Sequence, residues 1–286
     1  TLLLQHVQHA SGLSASTPPL QAIGLTLGNS MIITKQKKLF AIYSNVMKIL
    51  ITICARGGSK GIPGKNIKKL NGRPLIDYTI QVAKQFQQEF ENVAIELSTD
   101  SEEIVKVAKS CGLKSDYRRP EYLAGDTVGK IDAIKDVLLW KEKANNSHFD
   151  YILDMDVTSP LRNLNDLTKA FDLIKENDWA INLFSVSPSN RSPYFNMVEQ
   201  KDNGFFSQVK QPEGLVLTRQ SAPKVYDLNA SFYFYKRAFF DLGYKGAITD
   251  RSLIYEVPHT CFDLDHPIDF DIISYLMENN KLDFEL

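Results

Sequence analysis

Met47-Lys48-Ile49-Leu50-Ile51-Thr52-Ile53-Cys54 runs directly into Ala55-Arg56-Gly57-Gly58-Ser59-Lys60-Gly61-Ile62-Pro63-Gly64-Lys65-Asn66, an apolar segment emptying into a glycine-rich, cationic one. The first segment, rich in β-branched residues, reads as a buried strand. The second combines four glycines with three cations, Arg56, Lys60 and Lys65. Glycines let backbone N–H groups turn inward on a polyanion without a Cβ in the way, and the cations add charge-assisted bonds. Ligands of open α/β sheets bind beyond the carboxyl ends of strands, so a loop of this kind leaving a first strand predicts a triphosphate cradle rather than an idle basic loop. It is not a P-loop, because Asn66 follows the lysine where Ser or Thr is needed. Nor does it contain G-x-G-x-x-G.

Outward from this segment, short β-rich runs alternate with helix-like ones. Strands are predicted over 48–54, 93–98, 113–117, 151–154, 180–185 and 231–235, and helices over 74–86, 101–110, 127–143, 165–176 and 268–278. That alternation predicts an α/β, three-layer fold on a mostly parallel sheet. Residues 188–227 break the rhythm with Pro, Gly, Asn and aromatics, and with turn signals at Asp202-Asn203-Gly204 and Pro212-Glu213-Gly214. They predict a hairpin-like insertion, long enough to serve as a lid, a substrate wall or a dimer contact. Residues 1–46 lack a steady period and read as a non-native or disordered extension, with Met47 as the expected start of the 47–286 domain.

Composition narrows the function. Lys plus Arg count 33 against 34 Asp plus Glu, so no global basic field holds nucleic acid or an anionic membrane. No apolar run approaches the roughly 20 residues a bilayer span requires. Cys54, Cys111 and Cys261 are odd in number and far apart, which predicts reduced thiols in a cytoplasmic protein and no structural zinc.

The loop resembles the N-terminal signature of the acylneuraminate cytidylyltransferases, the CMP-sialic acid synthetases, with Ile53-Cys54 standing where Ile-Pro is usual. The resemblance continues through Ser98-Thr99-Asp100, Arg119-Pro120, Leu123-Ala124-Gly125-Asp126-Thr127, Thr158-Ser159-Pro160-Leu161-Arg162, Arg219-Gln220 with Asn229, and Asp263-Leu264-Asp265. It covers essentially all of 47–286. It implies a Rossmann-like nucleotidyltransferase fold, CTP and an acidic sugar as substrates, Mg²⁺ as cofactor, and a homodimer whose insertion reaches the partner's site. The activity implied is transfer of CMP from CTP to the anomeric hydroxyl of an acidic nine-carbon sugar, with release of pyrophosphate.

The same resemblance implies roles for individual residues. Ala55, Arg56, Gly57, Ser59, Lys60, Lys65, Asn66 and Arg119 would bind the nucleotide, with Arg56, Ser59, Lys60 and Lys65 on the triphosphate and Asn66 and Arg119 near the cytidine half. Asp263 and Asp265, two apart and able to face one side of an extended segment, would hold Mg²⁺; alternatively they are an acidic cluster opening the helix announced by His266-Pro267. Arg56, Lys60, Lys65 and Asp265 would carry the catalysis. Arg219, Gln220 and Asn229 would line the sugar pocket, although a lone arginine is more often a surface residue. Ala230 stands where Gly is frequent, and Asp156-Val157 where Gln-Pro is usual, so the identity of the sugar turns on Asp156. Asp154 reads as structural. Phe205-Phe206 and Phe232 to Tyr235 read as core, and His148, His259 and His266 as belonging to no constellation. An eight-carbon acidic sugar is the alternative acceptor, and a decayed nucleotide-binding module the alternative class.

Overall fold

The strand opening the domain becomes the axis of the sheet because its alternate side chains are taken up by two different helical layers. In the computed structural model, which describes residues 47–286 apart from 59, 60, 126, 127, 212, 213, 215 and 217, the domain begins with β1 (Ile49–Cys54). A two-residue ribbon of β2 (Lys69–Leu70) and β3 (Arg73–Pro74) leads into α1 (Leu75–Glu89), β4 (Val93–Ser98), α2 (Glu102–Ser110), α3 (Lys130–Asn145) and β5 (Tyr151–Met155). Then come α4 (Leu164–Lys175), β6 (Asn182–Pro188), the hairpin of β7 (Val198–Gln200) and β8 (Phe206–Gln208), β9 (Tyr226–Lys236), α5 (Arg237–Asp241), β10 (Ser252–Glu256) and α6 (Pro267–Glu278).

The main sheet has six strands in the order β10-β6-β9-β5-β1-β4. β1 pairs in parallel with β4 on one side and β5 on the other, so the strand order reverses about β1. Ile49, Ile51 and Ile53 face the layer of α1, α4 and α6, where Phe86, Phe171 and Ile273 are buried. Leu50 and Ile152 face the opposite layer, with Ile134 and Val137 of α3 and Phe239 of α5. The expected three-layer, mostly parallel α/β fold is therefore present.

β9 is antiparallel to both β5 and β6, and its register against β6 shifts between Phe184 and Val186. Ala230 takes a φ of 55° at this irregularity. A left-handed backbone costs a residue with a Cβ roughly 1–2 kcal/mol; this is the physical reason a glycine suits the position and alanine, with the smallest side chain that has a Cβ, is tolerated.

Several expectations fail for identifiable reasons. Segment 113–117 buries Leu113 and Tyr117 but joins no ladder; it meets β4 through the Ser115 hydroxyl, which donates to Glu96 Oε2 at 2.5 Å. β10 was not expected, being a short edge strand of half-buried residues with weak alternation. Phe205 and Phe206 are exposed on the hairpin, not core, whereas Phe232, Phe234 and Tyr235 are buried as expected. His259 does belong to a constellation. Its Nε2 is 2.9 Å from Asp166 Oδ2, a buried carboxylate that also accepts from the Tyr255 hydroxyl, and its ring stacks on Phe284. The Thr260 N–H donates to both Asp283 oxygens, so the C-terminal tail is fastened beside the same histidine.

Burial alone would lower the His259 pKa, but the bonds to Asp166 and the Thr260 carbonyl raise it above the ordinary histidine value. Its stabilising contribution is therefore complete below the unfolded value of about 6.5 and is lost as pH rises through the folded pKa. His259→Asn should lower the melting temperature more at about pH 6 than at about pH 9. Equal losses at both, measured by differential scanning calorimetry, would refute the charged pair.

Candidate active site

A cleft of about 490 Å³ opens where β1 and β5 end, with Arg56, Lys65, Arg119, Lys130, Asp156 and Asp265 among its lining residues. This is the place where the strand order reverses, the position at which open α/β sheets bind their ligands.

The glycine-rich loop is tied down at both ends. Ala55 is buried with its N–H on the Ser98 carbonyl at 2.9 Å, and the Gly57 N–H donates to Asp100 Oδ1 at 2.9 Å. Asn66, also buried, donates through Nδ2 to the Arg56 carbonyl at 2.9 Å and closes the loop on itself. The Ser98-Thr99-Asp100 motif thus anchors the loop, and it anchors Arg119 as well. The nearly buried guanidinium donates to Ser98 Oγ and to the Ser98 carbonyl, while the Arg119 N–H donates to Thr99 O at 3.0 Å. Ser59 and Lys60 lie outside the described residues.

Segment 263–265 closes the cleft from the other side. Leu264 is fully buried between half-buried Asp263 and exposed Asp265, the alternation an extended segment imposes. Its N–H donates to the Thr158 carbonyl at 2.9 Å and also approaches Asp263 Oδ1. Lys65 Nζ donates to the Leu264 carbonyl at 2.7 Å and lies 3.4 Å from Asp265 Oδ1, so the glycine-rich loop and the acidic segment are bridged by one ammonium. Capping of α6 falls instead to Asp269, whose carboxylate accepts from the N–H groups of Asp265 and His266. Asp263 and Asp265 are therefore not the acids that open that helix.

At the floor, Lys130 Nζ is 2.6 Å from Asp154 Oδ2 and 2.5 Å from Asp156 Oδ2. Burial alone would lower the lysine pKa, but the two carboxylates hold it well above its ordinary value. Burial raises the pKa of Asp156 and pushes the Cys54 thiol up to about 12, which makes that thiol inert. Lys130 was missed by sequence reasoning, and Asp154 was read as structural only. The available signal was a lysine in the first turn of a helix, against the dipole, together with two aspartates at i and i+2, one on β5 and one just past its end.

Of the residues expected to contact a sugar, Asp156 lines the cleft, while Arg219, Gln220 and Asn229 do not. Arg219 and Gln220 are exposed on a short 3-10 turn, with Arg219 donating to the Ser189 carbonyl. Asn229 is buried among Ser185, Ser187 and the Ser231 N–H, beside the β9 irregularity.

The chain matches a known family along nearly all of its described length. The family model described as "Cytidylyltransferase" covers residues 50–283. Two relatives are each 40% identical over 82% of this chain and 97% of their own length: a post-translational flagellin modification protein B from Campylobacter coli and a CMP-N,N'-diacetyllegionaminic acid synthase from Campylobacter jejuni. A solved structure of a CMP:2-keto-3-deoxy-manno-octonic acid synthetase, 16% identical, superposes with a TM-score of 0.58 over 82% of this chain and 99% of its own, and shares the fold. The chain belongs to the cytidylyltransferase family, and so is a nucleotidyltransferase that takes CMP from CTP.

Gly61 shows how tightly the loop and the acidic segment approach. A Cβ there would sit 2.7 Å from the Asp265 carbonyl oxygen, and main-chain atoms cannot swing aside. Gly61→Ala should therefore lower kcat/KM for CTP by on the order of 100-fold, the cost of a displacement near 1 Å in a positioned site. Unchanged CTP kinetics would show that the two segments need not touch.

Proposed function

We propose that this enzyme joins CMP from CTP to the anomeric hydroxyl of an acidic nine-carbon (nonulosonic) sugar, releasing pyrophosphate, with Mg²⁺ as cofactor. The observation that carries the reading is the bridge of Lys65 to Leu264 and Asp265, which sets a cationic loop and an acidic segment on opposite sides of one cleft. The relatives named above favour the nine-carbon class, since the protein named for the eight-carbon sugar shares only 16% of its sequence with this chain.

The residues suit a hard cation. Mg²⁺ binds through one or two carboxylates and completes its shell with water and substrate phosphate oxygens. Asp265 lines the cleft and Asp263 stands two residues before it on the same extended segment, so the two would supply such a pair, and among the described residues no cluster of three or more metal-ligating side chains competes. When bound there, the ion offsets charge on the transferred phosphoryl group and on the departing pyrophosphate. Arg56, Ser59, Lys60 and Lys65 grip the triphosphate and hold the α-phosphorus in line, with Ala55 and Gly57, tied by their N–H groups to Ser98 and Asp100, fixing the path of the loop, while Asn66 and Arg119 orient the nucleoside. Asp156 meets the sugar.

A homodimer is part of the proposal. The exposed Val198, Phe205 and Phe206 of the β7–β8 hairpin offer an apolar surface that a second copy would cover, and Arg219, Gln220 and Asn229 would then serve a shared sugar pocket. The three free thiols suit a reducing, cytoplasmic setting, and no helix among the described residues is long and apolar enough to cross a membrane. A fully active monomer in analytical ultracentrifugation would overturn the dimer.

The decisive assay is pyrophosphate release with CTP, ATP or UTP against N-acetylneuraminic, legionaminic, pseudaminic and eight-carbon acidic sugars. Turnover is expected with CTP and a nine-carbon acid, and Asp265→Ala should reduce kcat by on the order of 100-fold or more. Turnover confined to the eight-carbon sugar, or full activity of Asp265→Ala, would refute the acceptor or the metal assignment respectively.

A further inference from the structure

Three ionisable groups meet at the floor of the cleft, and they are unequal. Asp154 is fully buried, with one oxygen accepting from the Thr52 hydroxyl at 2.7 Å and the other facing Lys130. Asp156 has its backbone fixed: its N–H donates to the Ser231 carbonyl, and its own carbonyl accepts from Arg162 and from the Thr79 hydroxyl. Its carboxylate is 20% exposed, with Oδ2 on Lys130 and Oδ1 bonded to nothing among the described residues. The Lys130 ammonium is further enclosed by the Tyr233 ring, 5.0 Å from its centre.

This set is costly as glue. Lys130 is the first residue of α3, so its charge lies at the positive end of that helix dipole. Burying Asp154 beside it incurs a desolvation cost that apolar residues of equal volume would avoid. What the set does achieve is specific: it holds one carboxylate, able only to accept hydrogen bonds, at a defined point of the cleft. Two carboxylates against one ammonium also leave a net negative charge there, which turns the sugar's own carboxylate away and favours a donor group.

We propose that Lys130, backed by Asp154, is a positioning residue that presents Asp156 to the sugar, and that the three together select acceptors carrying a hydroxyl or an N–H at that point. An acceptor offering only lone pairs there is rejected, because it faces a carboxylate with no proton to share. The inference rests on the acceptor reading proposed above.

The test measures pyrophosphate release by the purified full chain at saturating CTP and Mg²⁺, against increasing concentrations of the best nine-carbon acceptor. Lys130→Met and Asp156→Asn should each raise the acceptor KM by about tenfold or more, with the CTP KM held within about twofold. Lys130→Arg should restore most of the loss, and acceptor analogues singly methylated at each hydroxyl should include one that wild type rejects and Asp156→Asn discriminates less. If Lys130→Met does not fold, the Lys130→Met/Asp154→Asn double variant keeps the net charge and the Thr52 bond, and should show the same shift. An unchanged acceptor KM, or a parallel rise in the CTP KM that places the lysine on the nucleotide, would overturn the inference. A wild-type enzyme silent with every sugar overturns both this inference and the acceptor reading, whereas an active wild type with an indifferent Lys130→Met overturns this one alone.

Discussion

One buried guanidinium holds the site together. Arg162 is fully buried and donates to the carbonyls of Ser159, Ser231 and Asp156 and to the Thr79 hydroxyl, at 2.5 to 2.9 Å. Those partners belong to the turn after β5, to β9, to the end of β5 and to α1, so a single planar fork satisfies carbonyls that would otherwise be buried unpaired. Burial lowers its pKa to about 10, which still leaves it charged at neutral pH. Its ordering of the 158–162 turn sets the Thr158 carbonyl that receives the Leu264 N–H, and with it the acidic segment beside the glycine-rich loop.

From that centre the cleft acquires its electrostatic division. One wall is the loop bearing Arg56 and Lys65, the opposite wall carries Asp265, and Lys65 spans the two. The floor pairs Lys130 with Asp154 and Asp156, each of which would be unaffordable alone at that depth. Positioning and fixed charge of this kind are what phosphoryl transfer asks of a protein, since no covalent intermediate on the enzyme is needed.

The C-terminal region shows how distant parts of the chain stabilise this arrangement without entering it. Asp166 caps α4 together with Asn163, accepts from Tyr255 and pairs with His259, while Asp283 receives the Thr260 N–H. These bonds fasten the segment that runs on into Asp263, so the Asp263-Leu264-Asp265 segment is supported from behind by α4 and by the tail.

By itself the sequence determined the alternation of strands and helices, the loop that follows the first strand and the acidic Asp263-Leu264-Asp265 pattern. Each depends on local periodicity, glycine content or spacing along the chain. Only the tertiary structure decided which acids do what: Asp269 rather than Asp265 caps α6, and Asp154 belongs with Asp156 and Lys130. It also decided that Phe205 and Phe206 point outward, that 113–117 joins no ladder and that His259 has a partner. These outcomes hinge on contacts between residues tens to hundreds of positions apart, such as Lys65 with Asp265 across the cleft. Hydrogen bonds and ion pairs are made through space, and no pattern along the chain encodes which of several identical carboxylates will arrive beside a given ammonium.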